Sequence, residues 1–348
     1  MIITQNPNAI LDTIIEKQTY SSLYLLSDSN TYTKCMPVIA DSVKKYNIQT
    51  LTITAGENTK NIDTCIHLWE QLNEKMADRH SLLINLGGGM ITDIGGFIAS
   101  TFKRGMSFIN IPTSMLAMID ASIGGKNGIN FGSYKNQIGV INEPMEVIVS
   151  PIFLKTLDRR NYLSGYAEAL KHGLIGGKDA YKVTIPFISP SYERDDFTSF
   201  LQKNISIKEK IVAIDPTEKA DRKALNIGHT IGHALESLSH NKNEVMLHGE
   251  AVAWGMIAEL KLAELVFGKK PEILPEIESF IAEHYQQPPM NENDFNELLS
   301  IMKQDKKNYK SEINFTLLKE AGQYKINQTA TENQIIESLK YICKLCKS

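Results

Sequence analysis

The chain has 348 residues, 42% of them hydrophobic and 22% charged, which is globular composition at a length that exceeds one comfortable core and predicts two domains. A net charge of -3 with no long basic tract excludes general affinity for nucleic acid, so any anion site must be a local cluster of Lys and Arg. No apolar run reaches the ~20 residues that span a bilayer, since Val252–Val266 is interrupted by Glu259, Lys261 and Glu264.

In chain order, Met1–Ile10 lacks the basic-then-apolar pattern of a signal peptide, so the cytoplasm is the expected location. Short apolar runs at Ser22–Leu26, Thr50–Thr54, Leu82–Leu86, Phe108–Ile111 and Val147–Val149 predict buried strands. Helical patterns at Asn61–Lys75 and Ile94–Phe102 fall between them. Alternation of this kind predicts a parallel sheet covered on both faces. After Pro151 the periodicity turns helical: Arg159–Ile175, Ser199–Val212, Asn226–Leu238, Gly249–Val266, Pro275–Ala282 and Asn293–Gln304. One short strand is expected at Ile313–Leu318, and Thr331 to Gln334 opens a last helix as a capping box. The expected architecture is an α/β domain over 1–155 and a mostly helical domain over 156–348. Cys343 and Cys346 form a lone CxxC at the end of a helical pattern, which suits a structural or incidental role better than a redox or zinc site.

Three groups of residues suggest chemistry. Leu82–Leu86 runs into Gly87-Gly88-Gly89 with a helix expected near Thr92, an arrangement that lets backbone N–H groups face a pyrophosphate. A plain tight turn is the alternative, and Asp93 reads equally as a helix cap or a ligand contact. Further on, Lys103-Arg104-Gly105, Pro112-Thr113-Ser114, Asp120 to Lys126 and Tyr134-Lys135-Asn136 gather glycines, hydroxyls and cations in loops between strands. Such loops suit a polar anionic ligand, or are simply solvated turns. Finally, four of the eight histidines lie between His229 and His248. His229 and His233 share a helix face at i, i+4, while Glu168, Lys171 and His172 share another. Two histidines and a carboxylate from separate helices would make a zinc site with one position open; packing is the alternative for the HxxxH alone.

Taken together, Gly87-Gly-Gly-Met-Ile-Thr-Asp93, Ile111-Pro-Thr-Ser114, Asp120-Ala-Ser-Ile-Gly-Gly-Lys126, Lys135-Asn136, Gly165-Tyr-Ala-Glu168-Ala-Leu-Lys171, Arg222-Lys-Ala-Leu-Asn226-Ile-Gly-His229-Thr-Ile-Gly-His233 and Leu247-His248-Gly-Glu250 resemble the 3-dehydroquinate synthase family of sugar phosphate cyclases. The resemblance runs from about Gly56 to Gly322. It implies a Rossmann-like NAD-binding α/β domain, a mostly α-helical metal-binding domain and a homodimer. NAD contacts would fall on Gly56, Glu57, Lys60, Gly89, Met90, Ile91, Thr92, Asp93, Thr113, Ser114, Lys126, Lys135, Phe153, Leu154, Lys155 and Thr156. The metal, zinc or cobalt, would be held by Glu168, His229 and His248. Substrate would meet Asp120, Lys126, Asn136, Lys171, Lys208, Arg222, Asn226, His233 and a lysine of Asp305-Lys306-Lys307, with Arg104 reaching the neighbouring subunit's site.

The implied reaction closes 3-deoxy-D-arabino-heptulosonate 7-phosphate to 3-dehydroquinate in the shikimate pathway to aromatic amino acids. It proceeds by transient oxidation with NAD, β-elimination of phosphate, reduction and intramolecular aldol closure, with no net redox. His233 is expected to move a proton near the phosphate, because histidine titrates close to neutral pH. A cyclase for another sugar phosphate is the nearest rival. It would need no carboxylate pocket, so the pair Lys208 and Arg222 argues against it. A metal-dependent polyol dehydrogenase would lack most of the lysines. Ser114, Asn127, Pro216 and Ala220 depart from the family's usual residues, and none of these changes removes an expected ligand.

Overall fold

The computed structural model describes residues 1–132, 134–189, 194, 196–304 and 312–346. The chain divides into two compact units, residues 1–158 with 190–202 and residues 159–189 with 203–348.

In the first unit the elements run β1 (Ile2–Ile3), α1 (Pro7–Glu16), β2 (Leu23–Asp28), α2 (Ser29–Lys34), α3 (Ala40–Lys45), β3 (Gln49–Ile53) and α4 (Ile62–Glu74). They continue with β4 (Leu82–Gly87), α5 (Gly89–Thr101), β5 (Ser107–Pro112), β6 (Lys126–Phe131), β7 (Tyr134–Ile141) and β8 (Glu146–Val149). Six strands form a parallel sheet in the order β1-β8-β5-β4-β2-β3. The central strand β4 is buried along its whole length, as a parallel strand covered on both faces must be. Each fully buried Leu or Ile there contributes ~1.5–3 kcal/mol.

The sheet and its covering helices follow the sequence pattern, but an antiparallel β6–β7 hairpin does not. Every residue of β7 except Val140 is exposed, so the strand shows no alternation of apolar and polar positions for a period-2 search to find. Helix α5 also starts at Gly89 rather than near Thr92. Its cap is Gly88, with no side-chain cap hydrogen bond, so the usual Ser, Thr or Asp signal is missing. Asp93 is therefore not a cap but the fifth residue of the helix.

The second unit is mostly helical: α6 (Arg159–Gly176), α7 (Lys178–Thr184), α8 (Phe197–Ile214), α9 (His229–Asn241), α10 (His248–Phe267), α11 (Leu274–His284), α12 (Phe295–Lys303), an antiparallel hairpin of β9 (Phe315–Glu320) and β10 (Gln323–Gln328), and α13 (Glu332–Leu345). The first residues of α8 count with the first unit. Helix α9 opens at His229, three residues later than the periodicity suggests, because Asp221–Asn226 is a 3₁₀ turn and Gly228 is left-handed at φ 78°.

Glycines let α6, α9 and α10 approach closely. A Cβ on Gly255 of α10 would sit 2.0 Å from the Gly228 carbonyl oxygen, and one on Gly232 would sit 3.0 Å from that of Ala251. A Cβ on Gly249 would fall 1.8 Å from the Ser164 carbonyl oxygen of α6. No larger residue fits these crossings, and they set the distances between the side chains described next.

Candidate functional site

In the first unit the β4–α5 turn is built around close packing. A Cβ on Gly87 would meet Ile91 Cβ at 2.5 Å, one on Gly89 would meet Ala121 at 3.2 Å, and one on Gly88 would meet Ser114 Oγ at 3.4 Å. None of the three needs a positive φ. The turn brings Gly89–Asp93 beside Ser114, which caps the following turn by accepting from the Ala117 N–H at 3.3 Å. Asp120 lies in the π-helical turn Ala117–Ala121.

A second knot ties several expected residues together. Lys60, only 3% exposed, donates to Asp93 Oδ2 at 2.6 Å and to Asn136 Oδ1 at 2.5 Å. Asn130 Nδ2 donates to Glu57 at 2.9 Å, while its Oδ1 accepts from the Asn136 N–H at 2.9 Å. Glu57, Lys60, Asp93 and Asn136 thus form one network through Asn130, which sequence reasoning did not single out. Asn127, a departure from the usual threonine, donates to the Gly125 and Asn142 carbonyls at 2.9 and 2.7 Å and so pins the loop beside Lys126.

Gly56 takes φ 122°, a conformation that glycine adopts readily. Thr113 is buried, while Lys126, Lys135 and Lys155 are exposed. Phe153 and Leu154 are core side chains, so only their backbone is available to a ligand. Thr156 donates to the Phe153 carbonyl at 2.8 Å. Arg104 is exposed and left-handed at φ 71°, next to Lys103 at φ 48°, and Asn136 is left-handed at φ 52°. Non-glycine residues in this region are strained and concentrate at functional sites.

In the second unit the metal candidates converge. Glu168 Oε1 lies 3.3 Å from both His229 Nε2 and His248 Nε2. Glu168 Oε2 is ion-paired with Lys171 Nζ, and both residues are 1% exposed. His229 Nδ1 donates to the Ile227 carbonyl at 3.0 Å, and His248 Nδ1 faces Glu236 Oε2 at 3.2 Å. Each Nδ1 thus has an acceptor, which turns each Nε2 toward Glu168. That outer support is what metal-bound histidines have. Ligand atoms of His229, His233 and His248 also lie within 4.8 Å of one another, so His233 stands at the same centre.

The protonation states reflect this crowding. Burial, with Lys171's charge behind it, pushes the His229 imidazolium down to about 3. Burial also opposes a charge on His248, but Glu168 and Glu236 outweigh it and raise that ring to about 10. Burial alone would raise Glu168, yet Lys171 and His229 hold its carboxyl well below the usual range. One oxygen and two imidazole nitrogens around one point is the protein donor set that zinc takes in catalytic sites.

Arg222 and Asn226 sit in the loop that leads into α9. Asp215 accepts from the N–H groups of Lys219, Ala220 and Arg222 at 3.0, 2.6 and 3.2 Å, closing the loop. The Arg222 guanidinium donates to the Pro216 carbonyl at 2.5 Å, and Asn226 donates to Glu218 at 2.6 Å. Glu218 is left-handed at φ 59°. Ala220, at φ -139°, is outside the left-handed region and needs no glycine. Lys208 and Arg222 are both buried. Residues 305–307, where a further substrate lysine is expected, lie outside the described residues. Glu236 was open to discovery from the sequence, since His229, His233 and Glu236 follow i, i+4, i+7 on one helix face.

The 3-dehydroquinate synthase N-terminal family model matches residues 50–164, and its C-terminal counterpart matches residues 165–308. A curated 3-dehydroquinate synthase of Parabacteroides distasonis is 42% identical over 341 residues, covering 98% of this chain and 97% of its own. The chain belongs to the 3-dehydroquinate synthase family. A second member, from Clostridium tetani, is 34% identical over 92% of this chain and 85% of its own. Among solved structures, a 2-deoxy-scyllo-inosose synthase complexed with carbaglucose-6-phosphate, NAD+ and Co2+ shares the 3-dehydroquinate synthase fold at TM-score 0.81. It is 24% identical over 98% of this chain and 95% of its own. A 2-epi-5-epi-valiolone synthase from Streptomyces hygroscopicus, with NAD+ and Zn2+ bound, also has TM-score 0.81, at 22% identity over 99% and 96%.

Proposed function

We infer that this chain is a 3-dehydroquinate synthase, a phosphate-eliminating lyase that converts 3-deoxy-D-arabino-heptulosonate 7-phosphate to 3-dehydroquinate and phosphate with NAD and a zinc or cobalt ion. The observation that carries the reading is the convergence of Glu168 Oε1 with the Nε2 atoms of His229 and His248, in a chain 42% identical to a curated family member along nearly its whole length. NAD and Co2+ or Zn2+ in cyclases of the same fold support the cofactors.

The first 155 residues serve as the NAD-binding domain and the remainder binds metal and substrate. The uncapped N-terminus of α5, with Gly89 to Asp93 in its first turns, receives the pyrophosphate. Glu57, Lys60, Thr113, Ser114 and Lys135 complete the cofactor contacts, and NAD supplies a reversible hydride acceptor. The metal held by Glu168, His229 and His248 supplies Lewis acidity toward vicinal hydroxyls of the sugar.

This chain's side chains do the rest. Arg222 and Lys208 bind the carboxylate, where a planar fork and an ammonium suit a two-oxygen anion. Lys126, Lys171, Asn136, Asn226 and Asp120 orient the sugar, while His233 moves a proton next to the departing phosphate. Glu168, held ionised chiefly by Lys171, keeps a full negative charge for the metal.

The enzyme works as a cytoplasmic homodimer with Arg104 reaching the partner's site. The exposed Phe131, Tyr134, Ile138 and Ile141 of the β6–β7 hairpin support an association that covers them. Phosphate release from the heptulosonate phosphate, with and without NAD and a chelator, tests the reading. Release that needs catalytic NAD, stops with chelator and yields dehydroquinate is the expected result. No release from a protein that still binds NAD and zinc would point to a cyclase for another sugar phosphate.

A further inference from the structure

The metal ligands are not supported symmetrically. His248 has a carboxylate, Glu236, directly on its Nδ1, whereas His229 has only a backbone carbonyl, that of Ile227. The peptide group that owns this carbonyl also owns the N–H of Gly228, and that N–H donates to Glu259 Oε2 at 2.6 Å. Because a peptide is planar, fixing its N–H fixes the direction of its carbonyl. The second oxygen of Glu259 accepts from the Thr230 and Ile231 N–H groups at 3.0 and 3.1 Å. Those are the second and third residues of α9, whose N-terminal donors a Ser or Asp cap would ordinarily satisfy and which Gly228 has no side chain to reach.

We propose that Glu259 is a positioning residue for the metal centre, acting as the carboxylate partner of His229 through the Ile227–Gly228 peptide. The proposal rests on the metal-binding reading given above. Glu259 is 1% exposed, too deeply buried to be a solvated charge on a helix face. Its three backbone donors and the N-terminal dipole of α9 offset the cost of burying its charge. The hydrogen-bonded chain runs from the Glu259 carboxylate to the Gly228 N–H, and from the Ile227 carbonyl of the same peptide to the His229 Nδ1–H. It is a carboxylate–histidine arrangement with one peptide interposed. Helix α10 therefore supplies one ligand from its first residue, His248, and aims another from Glu259 three turns later. His248, Val252, Gly255 and Glu259 lie on one stripe of α10, at i, i+4, i+7 and i+11.

Glu259→Gln tests this, because an amide keeps the shape but presents an NH2 to at least one of the three donors. Zinc affinity, measured by competition with a chromophoric chelator and without turnover, is expected to weaken about 10–100-fold, with NAD affinity unchanged. Thr331→Ala is the control, since Thr331 caps α13, which carries no ligand. It lowers the melting temperature through loss of the cap and leaves zinc affinity at the wild-type value. Should Glu259→Gln fail to accumulate folded, Glu259→Asp keeps the charge one methylene short and is expected to weaken zinc binding in the same direction. Wild-type zinc affinity in the Glu259 variant, or an equal loss in Thr331→Ala, overturns the proposal. A wild-type protein that binds no zinc overturns the metal reading itself.

Discussion

Replacing Gly249 by alanine puts a methyl group where the α6 backbone already stands. The added Cβ would lie 1.8 Å from the Ser164 carbonyl oxygen and 2.5 Å from its carbon. Ordinary van der Waals contact for a Cβ begins near 3.4 Å, so α6 and α10 must part by more than an ångström. No flexible side chain can yield, since the obstacle is a peptide group, and the hydrogen bond from the Gly249 N–H to Ser164 Oγ at 3.0 Å is lost as well. Overpacking of this kind costs about 3 kcal/mol, the upper end of its usual range, or a fall of roughly 6–12 °C in Tm for a unit of this size.

The ligands move with the helices. His248 precedes Gly249, and Glu168 is one turn along α6 from Ser164, while metal–ligand distances tolerate only about 0.2 Å. Zinc affinity in Gly249→Ala is therefore expected to fall by at least about 10-fold. Calorimetry and chelator competition read the two effects separately. A variant with wild-type Tm and wild-type zinc affinity would show that this helix crossing does not set the metal site, and the reasoning would fail.

His248→Ala is expected to abolish zinc retention and activity while circular dichroism stays native; normal zinc content would remove His248 from the ligand set. Glu236→Gln should weaken zinc about 10–100-fold by loosening the His248 ring, and an unchanged dissociation constant would count against that support. Arg222→Ala should raise KM steeply, by the few kcal/mol that a charge paired with a bound anion contributes, and unchanged kinetics would exclude it from substrate binding. Asp215 gives a pH signature. Burial raises its carboxyl, but the Ala220, Lys219 and Arg222 N–H groups outweigh burial and hold it below 3.8. A depressed folded value contributes stability that is complete above the ordinary pKa and lost as pH falls through the folded one. Tm should therefore drop more steeply below about pH 4 in the wild type than in Asp215→Asn, and parallel curves would refute the assignment.

The parallel sheet was legible because its strands are buried on both faces and read as unbroken apolar runs, as at Leu82–Leu86. The histidine cluster was legible because four of the eight histidines fall between His229 and His248, while the ligand set itself came from the family resemblance. What escaped was decided by tertiary contacts. β7 has no alternating pattern because it is exposed and carries a left-handed Asn136. Glu259 looks like a solvent-facing charge until the packing of α9 on α10 buries it. Asn127 and Asn130 have no chemistry of their own in the sequence, and only the loops they tie give them a role.

The left-handed residues carry a lesson for protein engineering. Met76, 82% exposed at φ 61°, and Arg104 and Glu218 hold a conformation that costs an L-residue roughly 1–2 kcal/mol and glycine almost nothing, and Asn136 shares it at lower cost because asparagine enters it more readily. A selection for heat resistance alone would reward glycine at all four positions. At Met76 the gain would come without functional loss. At Arg104 and Asn136 it would strip away the side chains proposed to bind substrate, and at Glu218 the partner of Asn226, so a library scored only by melting temperature would drift toward a sturdier and inactive protein.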